Sequence, residues 1–385
     1  MTATISVDPA RIAAATSAEL SEIAQQFGTG DYRQSWRSLL AAPSVRAAFA
    51  DSLRGVRGGG QITNAVAVVE GIGRAGIPAG LCYAYASQLF GIQWPLSFIA
   101  SQPLAPYHES LLDGSLLLCH ALTEETGGSD PLSMRTAATR SADGSWQLNG
   151  RKAYVTAAPA ADLVLTFART DAARHPFALS SLLIPADRPG VVRGEPFAKL
   201  ALTEVPMGAI DFDGVSVTDA DFVSDEGSGL AFLTATTTWE RALLMSYAIG
   251  IMGRTLEQAT EWLTSREQFG HPLGSSPLVA SRVADLAILA HRVRSLVYDM
   301  ARRIDDESTP LRSLSTDAAM VKISCAQDLL QFQTIAGPLF GARAVIADSG
   351  FAIDASGAIA ASIYAGTNDL LRIMIARDLG LPVEN

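Results

Sequence analysis

Two neighbouring stretches of this sequence decide its fold: LTEETGGSD at residues 122–130 and LNGRKAYVTAA at residues 148–158. The first consists of small, hydrogen-bonding residues, and its two adjacent glycines let backbone amides approach a ligand closely. In the second, Asn149-Gly150 predicts a turn between two strands. A hydrogen-bonding loop beside a hairpin with an aromatic ring and a hydroxyl suits a flat heteroaromatic cofactor. A surface loop on an ordinary β-domain is the alternative on spacing alone.

Composition excludes several classes of function. The 385 residues are 48% hydrophobic and 18% charged, which is enough to bury large cores and form two or three domains. The net charge of -10 argues against a nucleic-acid partner that is bound through its phosphates. The three cysteines show no paired spacing, so neither a disulfide framework nor a zinc site is expected, and no metal is assigned.

The sequence also predicts a cytoplasmic location. The first fifteen residues lack a basic start followed by an apolar core, so no secretory signal is expected. The most apolar run, residues 89–100, is short and contains Gly91 and Pro95. It is typical of a buried helix, and no membrane span is expected.

Three segments with different residue patterns predict an α+β fold. Residues 1–115 are rich in Ala and Leu with helical spacing, which predicts an N-terminal α-helical domain. In residues 116–225, runs of Val, Thr, Phe and Ile alternate with turn residues, which predicts a central β-domain. Residues 226–385 return to long helical patterns. Low charge on the helices of residues 1–115 favours an oligomer.

The two opening stretches resemble patterns of the acyl-CoA dehydrogenase family, TEPxAGSD and LNGxKxWITNA. Further motifs in the same order extend the resemblance over nearly the whole chain. It implies FAD as cofactor and a fold of N-terminal helices, a small β-barrel and a C-terminal four-helix bundle. It also implies oxidation of an acyl thioester at C2–C3, in which a carboxylate removes the α-proton and flavin N5 accepts the β-hydrogen as hydride.

The position of the base departs from the commonest family pattern. The usual base is the Glu of an IYEGT motif, and the matching residue here is Ala365. In isovaleryl- and long-chain-type members the base precedes an Arg on the helix that opens the C-terminal domain, and Glu240-Arg241 matches that pattern. The resemblance therefore implies that Glu240 is the base and that Arg241 shapes the site. The backbone at Ala365 and Gly366 is implied to bind the substrate thioester. A surface carboxylate paired with an arginine is the alternative for Glu240.

Cofactor contacts carry over from the two opening stretches. Thr123 matches a hydroxyl at the pyrimidine edge of the flavin, and Ser129 matches the pyrophosphate-side loop. Thr156 matches the Thr beside N5, and Tyr154 replaces the usual Trp against the ring face. His120, just upstream, is interpreted as structural. The residues implied to bind the cofactor in this part of the chain are Leu122, Thr123, Gly128, Ser129, Tyr154 and Thr156.

A second set of residues is implied to reach the FAD of a neighbouring subunit. The stretch at 266–270 resembles an R-x-x-FG pattern whose Arg binds the pyrophosphate, and the stretch at 333–337 resembles a QxxGG pattern at the adenosine half. The start of the last helical segment matches residues near the adenine-side phosphates. Such contacts imply a homodimer or homotetramer. The residues implied are Arg266, Phe269, Gln333, Gly337, Thr367 and Asn368.

The sequence thus predicts an acyl-thioester dehydrogenase. The acyl carrier is coenzyme A or an acyl carrier protein, and an electron-transfer flavoprotein or another acceptor takes the electrons. Two alternatives remain open. One is a flavin oxidase or monooxygenase on the same fold, which uses oxygen. The other is a catalytically inactive partner subunit that binds flavin or acyl thioesters and has lost the base at residue 365.

Overall fold

The structure is a computed structural model that describes residues 8–27, 31–100, 102–142, 144–351 and 353–383. Residues 1–7, on which part of the expectation about a secretory signal depends, lie outside the described residues. Within the described ranges, no helix combines the length and the apolarity needed to cross a membrane.

Apolar segments with helical spacing form the N-terminal helices. Glycines 58–60, all with positive φ, separate the third helix from the fourth. Between the fifth and sixth helices the chain continues as a π-helix over Ser87–Gln93. The helices are α1 Pro9–Ser21, α2 Tyr32–Leu40, α3 Pro43–Arg54, α4 Gln61–Arg74, α5 Ala79–Ala86, α6 Trp94–Ile99 and α7 His108–Leu112.

The middle of the chain forms a seven-stranded sheet in the order β1-β4-β2-β3-β7-β6, with β5 paired to β4. β1 and β4 are parallel, whereas β3 and β7 are antiparallel over most of their length. The strands are β1 Leu118–Ala121, β2 Ala137–Arg140, β3 Trp146–Thr156, β4 Leu163–Arg169, β5 Leu179–Pro185, β6 Val191–Arg193 and β7 Met207–Val217.

The turn predicted at Asn149-Gly150 is wrong. β3 runs through both residues without interruption, and a register shift in its pairing with β7 marks a bulge at this point. Gly150 has a φ of 146°, and a Cβ there would lie 2.6 Å from Cα of Thr136 on the neighbouring chain segment. The Asn-Gly pair therefore relieves a close backbone approach within one strand instead of reversing the chain.

The C-terminal third is helical again. A short hairpin, β8 Glu267–Gln268 and β9 His271–Pro272, separates its second and third helices. The helices are α8 Gly229–Leu243, α9 Ser246–Ser265, α10 Pro277–Asp305, α11 Ser315–Phe340, α12 Ala355–Ala360 and α13 Asn368–Asp378. The predicted α+β fold, with helices on both sides of a central β-domain, is confirmed. The domain bounds 1–115, 116–225 and 226–385 stay a prediction.

The N-terminal helices meet the C-terminal bundle where α4 crosses α9. A Cβ on Gly73 would lie 3.0 Å from Cα of Gly250, and a Cβ on Gly250 would lie 2.7 Å from the backbone nitrogen of Arg74. Beside the crossing, the Tyr298 hydroxyl on α10 donates a hydrogen bond of 2.6 Å to the buried Glu70 carboxylate on α4. Backbone contact at the two glycines thus fixes the distance between the two helical parts of the chain.

Gly250→Ala is expected to lower the free energy of unfolding by roughly 1–3 kcal/mol, because the new methyl group has no room against the backbone of α4. Gly253→Ala, on the same helix, is the matched control, since a Cβ there meets only Cγ of Arg74 at 4.0 Å. We expect the control to be neutral or to gain up to about 1 kcal/mol from helix propensity. Urea unfolding of both variants measures the difference, and equal stabilities would contradict close packing at Gly250.

Candidate functional site

Glu240 lies near the end of α8, and its carboxylate faces the π-helix. A Cβ on Gly91 would lie 3.3 Å from Cδ and Oε1 of Glu240. A glycine at this point therefore leaves room for the carboxylate. π-helical turns are rare and frequently occur at functional sites.

The electrostatic surroundings of Glu240 suit a base. Burial raises the pKa of Glu240 to about 6, although the nearby cations Arg241 and Lys322 act to lower it. Glu240 forms no ion pair with any other residue in the described ranges. At neutral pH most of this carboxylate is ionised, and it is more basic than an ordinary glutamate. The alternative of a surface carboxylate paired with an arginine does not fit this environment.

A single cavity brings Glu240 together with two of the predicted cofactor residues. Tyr154 and Thr156, at the end of β3, line this cavity opposite the helices that contribute Ala84, Ser87, Gln88 and Ile92. The remaining lining residues are Tyr32, Tyr83, His120 and Ala157. Residues predicted from motifs more than eighty positions apart thus share one space.

The end of β3 presents the Tyr154 ring outward. Tyr154 and Ala157 both have positive φ, 57° and 64°, which is uncommon for residues with a Cβ. Backbone hydrogen bonds hold the segment on both sides of Thr156: Ala153 donates to Thr123, at 2.8 Å, and Ala157 donates to a carbonyl at 2.7 Å. The Tyr154 side chain is 57% exposed. An exposed aromatic face in a strained, well-held backbone offers a planar ligand a stacking surface.

A buried ion pair supports the loop that carries Leu122, Thr123, Gly128 and Ser129. Lys152 and Glu124 are both buried and lie 3.1 Å apart, and the Lys152 ammonium also donates to the Leu122 carbonyl at 3.0 Å. Burial lowers the pKa of Lys152 to about 8, and the Glu124 charge acts against that shift. The pair therefore ties the loop to the strand that bears Tyr154.

The loop itself has the shape expected of a cofactor cradle. A Cβ on Gly128 would lie 2.8 Å from Oγ1 of Thr123, whereas a Cβ on Gly127 would meet nothing within 4 Å. Gly127 and Ser129 are exposed. Small, open residues beside an outward-facing ring fit a flat cofactor with a phosphate tail, as the resemblance implies.

The turn at residues 364–368 packs against Glu240 and its neighbour. The Arg241 Nε donates to the Ala365 carbonyl at 2.9 Å, so Arg241 is in contact with this turn, and its role in shaping the site stays a prediction. Thr367 begins α13, and its hydroxyl accepts a hydrogen bond from the Leu370 amide at 3.3 Å. Asn368 is buried beneath the turn. Roles for Thr367 and Asn368 at an FAD phosphate stay a prediction.

The second predicted set lies outside the Glu240 cavity. Arg266 is exposed and lies 5.8 Å from the ring centre of Trp262, and Phe269 is fully exposed with a φ of 54°. Gln333 and Gly337 are inside α11 and buried. The exposed positions of Arg266 and Phe269 are compatible with contacts to a second subunit, whereas Gln333 and Gly337 are covered by this chain itself. The four roles stay predictions.

Several cavity residues were missed from the sequence. Tyr83, Ser87 and Gln88 precede Glu240 by about 150 positions and belong to no recognised motif. Polar residues in an otherwise apolar, buried helical run were the available signal. His120, interpreted as structural, lines the cavity, and its Nε2 is buried without a partner among the described residues. Burial lowers the pKa of His120 to about 4, so its imidazole is neutral at neutral pH.

Comparisons with known proteins match two parts of the chain to one family. Residues 227–380 match the family profile described as acyl-CoA dehydrogenase, C-terminal domain, and residues 119–215 match the profile for the middle domain. Together the two profiles span well over half of the chain.

Relatives of known function and solved structures align with most of the length of this chain. An L-prolyl-[peptidyl-carrier protein] dehydrogenase of Pseudomonas fluorescens is 28% identical over 85% of each chain. Among solved structures, the prolyl acyl carrier protein oxidase AnaB is 25% identical with a TM-score of 0.83, over 96% of this chain and 99% of that one. The FAD complex of PigA is 26% identical with a TM-score of 0.83, over 100% of both chains.

Gly91→Ala is expected to slow any reaction in which the Glu240 carboxylate takes part by roughly 10–100-fold, because the new methyl group displaces the carboxylate. The measurement is the rate of flavin bleaching by an acyl thioester, with flavin content as a check on folding. Gly253→Ala serves as the control, since it adds a methyl group in open space. An unchanged rate in Gly91→Ala would show that the close approach of residue 91 to the Glu240 carboxylate does not affect the reaction.

Proposed function

Because the chain belongs to the acyl-CoA dehydrogenase family, we propose that it is an FAD-dependent oxidoreductase that introduces a C2–C3 double bond into a small, polar acyl thioester. The observation that carries the proposal is the shared cavity of Glu240, Tyr154 and Thr156. It combines a carboxylate of raised basicity with a face for a planar cofactor. An α-C–H bond next to a thioester is a weak acid and needs such a base.

The proposed roles of the residues follow from their positions. Glu240 takes the α-proton as the Cα–H bond breaks, and the bonding pair becomes the new C2–C3 double bond. FAD, when bound, supplies the acceptor for the β-hydrogen and its electron pair. The backbone at Ala365 and Gly366 stabilises the negative charge that develops on the thioester oxygen. Tyr154 covers one face of the cofactor ring, and the Thr156 hydroxyl orients its edge.

The remaining cofactor residues keep the roles implied by the family resemblance. Thr123 and the Leu122 backbone bind the pyrimidine edge, and Gly128 and Ser129 bind the diphosphate. Supporting this assignment, the ion pair of Lys152 with Glu124 fixes the loop relative to the strand of Tyr154.

The lining of the cavity favours a small, polar acyl group. Ala84 leaves space in the cavity beside Glu240, and Ser87 and His120 add hydrogen-bonding groups. A saturated alkyl chain would leave such polar groups unpaired, which is costly in a buried site. The Gln88 amide already has partners within the protein, because it donates to the Leu118 carbonyl and accepts from Gln93. The relative from Pseudomonas fluorescens is named for a prolyl group on a peptidyl carrier protein. We therefore expect a prolyl or similar amino-acyl thioester on a carrier protein, with the coenzyme A thioester as the alternative.

Use of oxygen is the second candidate, because AnaB, one of the similar solved structures, is described as an oxidase. The oxidation of the thioester would be the same, and only the acceptor of the electrons would differ. Fast reoxidation of the bleached protein by air favours an oxidase. Slow reoxidation by air, with fast reoxidation by an electron-transfer flavoprotein, favours a dehydrogenase. An inactive partner subunit is the least favoured, since a base is present at Glu240.

A homodimer or homotetramer is part of the proposal. Phe269 and Arg266 are exposed at one end of α9, where the family resemblance implies contact with a second subunit's FAD. Apolar side chains in the last fifty residues are also exposed, among them Val345 and Ile363 at 85% and 59%. Exposed apolar side chains of this size support association with another copy.

Glu240→Gln is expected to abolish anaerobic flavin bleaching by prolyl-carrier or acyl-CoA thioesters, with a rate loss of at least roughly 10³-fold, because the amide cannot take a proton. Mixing each thioester with the protein while recording the flavin band measures the rate. Glu257→Gln, at a half-exposed site on α9, is the control and is expected to keep the full rate.

Two outcomes would contradict the proposal. Bleaching that survives Glu240→Gln would exclude this residue as the base. An absence of bleaching with every thioester, in a protein that retains its flavin, would exclude acyl-thioester oxidation.

A further inference from the structure

A buried lysine lies beneath the turn that packs against Glu240. Lys322, in the middle of α11, is fully buried. Its Nζ donates to the Gly366 carbonyl and to Oδ1 of Asn368, both at 2.9 Å, and lies 5.8 Å from the ring centre of Tyr364. None of these partners carries a negative charge. Among the described residues, Lys322 forms no ion pair.

Burial of an ammonium group without a paired carboxylate is costly. It lowers the pKa of Lys322 to about 8, and the negative charge of Glu240 is the main influence that acts against this shift. Lys322 therefore remains mostly protonated at neutral pH. Glu240 and Lys322 are two desolvated, opposite charges that stabilise each other through space without touching.

The turn is held from two sides by cations. Arg241 donates to the Ala365 carbonyl, and Lys322 donates to the next carbonyl, that of Gly366, each at 2.9 Å. Ala365 and Gly366 both have positive φ, 55° and 91°. Their amides donate to no other residue in the described ranges, so both remain available to a ligand. The two cations thus set the direction of successive peptide groups.

We propose that Lys322 is a positioning residue of the reaction centre, which fixes the Gly366 peptide from beneath the turn and adds its positive charge to the surroundings of Glu240. The inference rests on the proposed function, because it takes Glu240 as the base. Four titratable or charged groups face Glu240 from the elements packed around it: Tyr83, Arg241, Lys322 and Tyr364. Burial raises the pKa of both tyrosines, so they stay neutral, and the positive charge near Glu240 comes from Arg241 and Lys322.

Two substitutions separate the charge from the hydrogen bonds. Lys322→Met removes both, and Lys322→Gln removes the charge but keeps a donor for the turn. The first readout is the ionisation of Glu240. Infrared spectra recorded during a pH titration measure it, through the carboxyl band that is absent from Glu240→Gln. The second readout is the pH dependence of anaerobic bleaching, which rises as Glu240 ionises around pH 6.

Loss of the cation is expected to move the Glu240 midpoint to higher pH by about one unit in both variants, so that bleaching at pH 6 slows about fivefold. Lys322→Gln should recover most of its rate at high pH, where Glu240 is ionised again. Lys322→Met should stay slow there, because its turn is no longer held. Arg303→Met is the control: it removes a half-exposed cation that pairs with Asp317 in the same helical bundle, and should leave the midpoint unchanged.

The outcomes separate this inference from the proposed function. An unshifted midpoint in both Lys322 variants, together with an inactive Glu240→Gln, overturns the role of Lys322 alone. Bleaching that survives Glu240→Gln overturns the proposed function whatever the Lys322 variants do. Infrared titration needs no flavin, so a variant that loses its cofactor is still measured. If Lys322→Met does not fold, the midpoint of Lys322→Gln decides.

Discussion

A desolvated carboxylate without a direct counter-charge is the constraint on which the architecture of the site depends. Glu240 ends up in this state because helices from both ends of the chain enclose it, and the central sheet closes the cavity. The cations nearest to it, Arg241 and Lys322, direct their donors to backbone carbonyls instead. A direct salt bridge would lower the basicity of the carboxylate and block the space in which a substrate must lie. The contact between α4 and α9 joins the N-terminal helices to the C-terminal helices, and both sets enclose Glu240.

The order of elements and the main motifs could be predicted from the sequence, because helical periodicity and glycine-rich loops are local signals. Glu240 was predicted as the base from two observations taken together. The usual glutamate is missing at Ala365, and a glutamate occurs at the alternative position that part of the family uses. The bulge at Gly150 could not be predicted, since its cause is the approach of Thr136 on another segment. Lys322 was missed for a related reason. In a helix sequence a lysine indicates a solvent-facing position, and only the packing of the turn at 364–368 against α11 buries it.

The proposal of a small, polar acyl group rests on the polar side chains around the cavity. Hydrogen-bonding side chains come from the π-helix and from β1, which belong to different parts of the fold. That both parts of the fold contribute polar side chains is informative about the ligand, because each of these side chains lies in a largely apolar run of the sequence. The Gln88 amide finds its partners within the protein, in the Leu118 carbonyl and Gln93. Nε2 of His120 is buried without a partner among the described residues, so it is the group whose hydrogen bond a ligand would supply.

The π-helix at Ser87–Gln93 has a consequence for how this cavity changes through evolution. A π-helical turn closes its hydrogen bonds from residue i to i+5, so it holds one more residue than an α-helical turn. Deletion of one codon within the segment would restore an ordinary α-helix while the flanking helices kept their buried faces. The side chains inside the segment, Gln88 among them, would rotate by roughly 100° relative to Glu240. The lining of the cavity beside Glu240 can therefore change in a single step of insertion or deletion, without any substitution elsewhere in its walls.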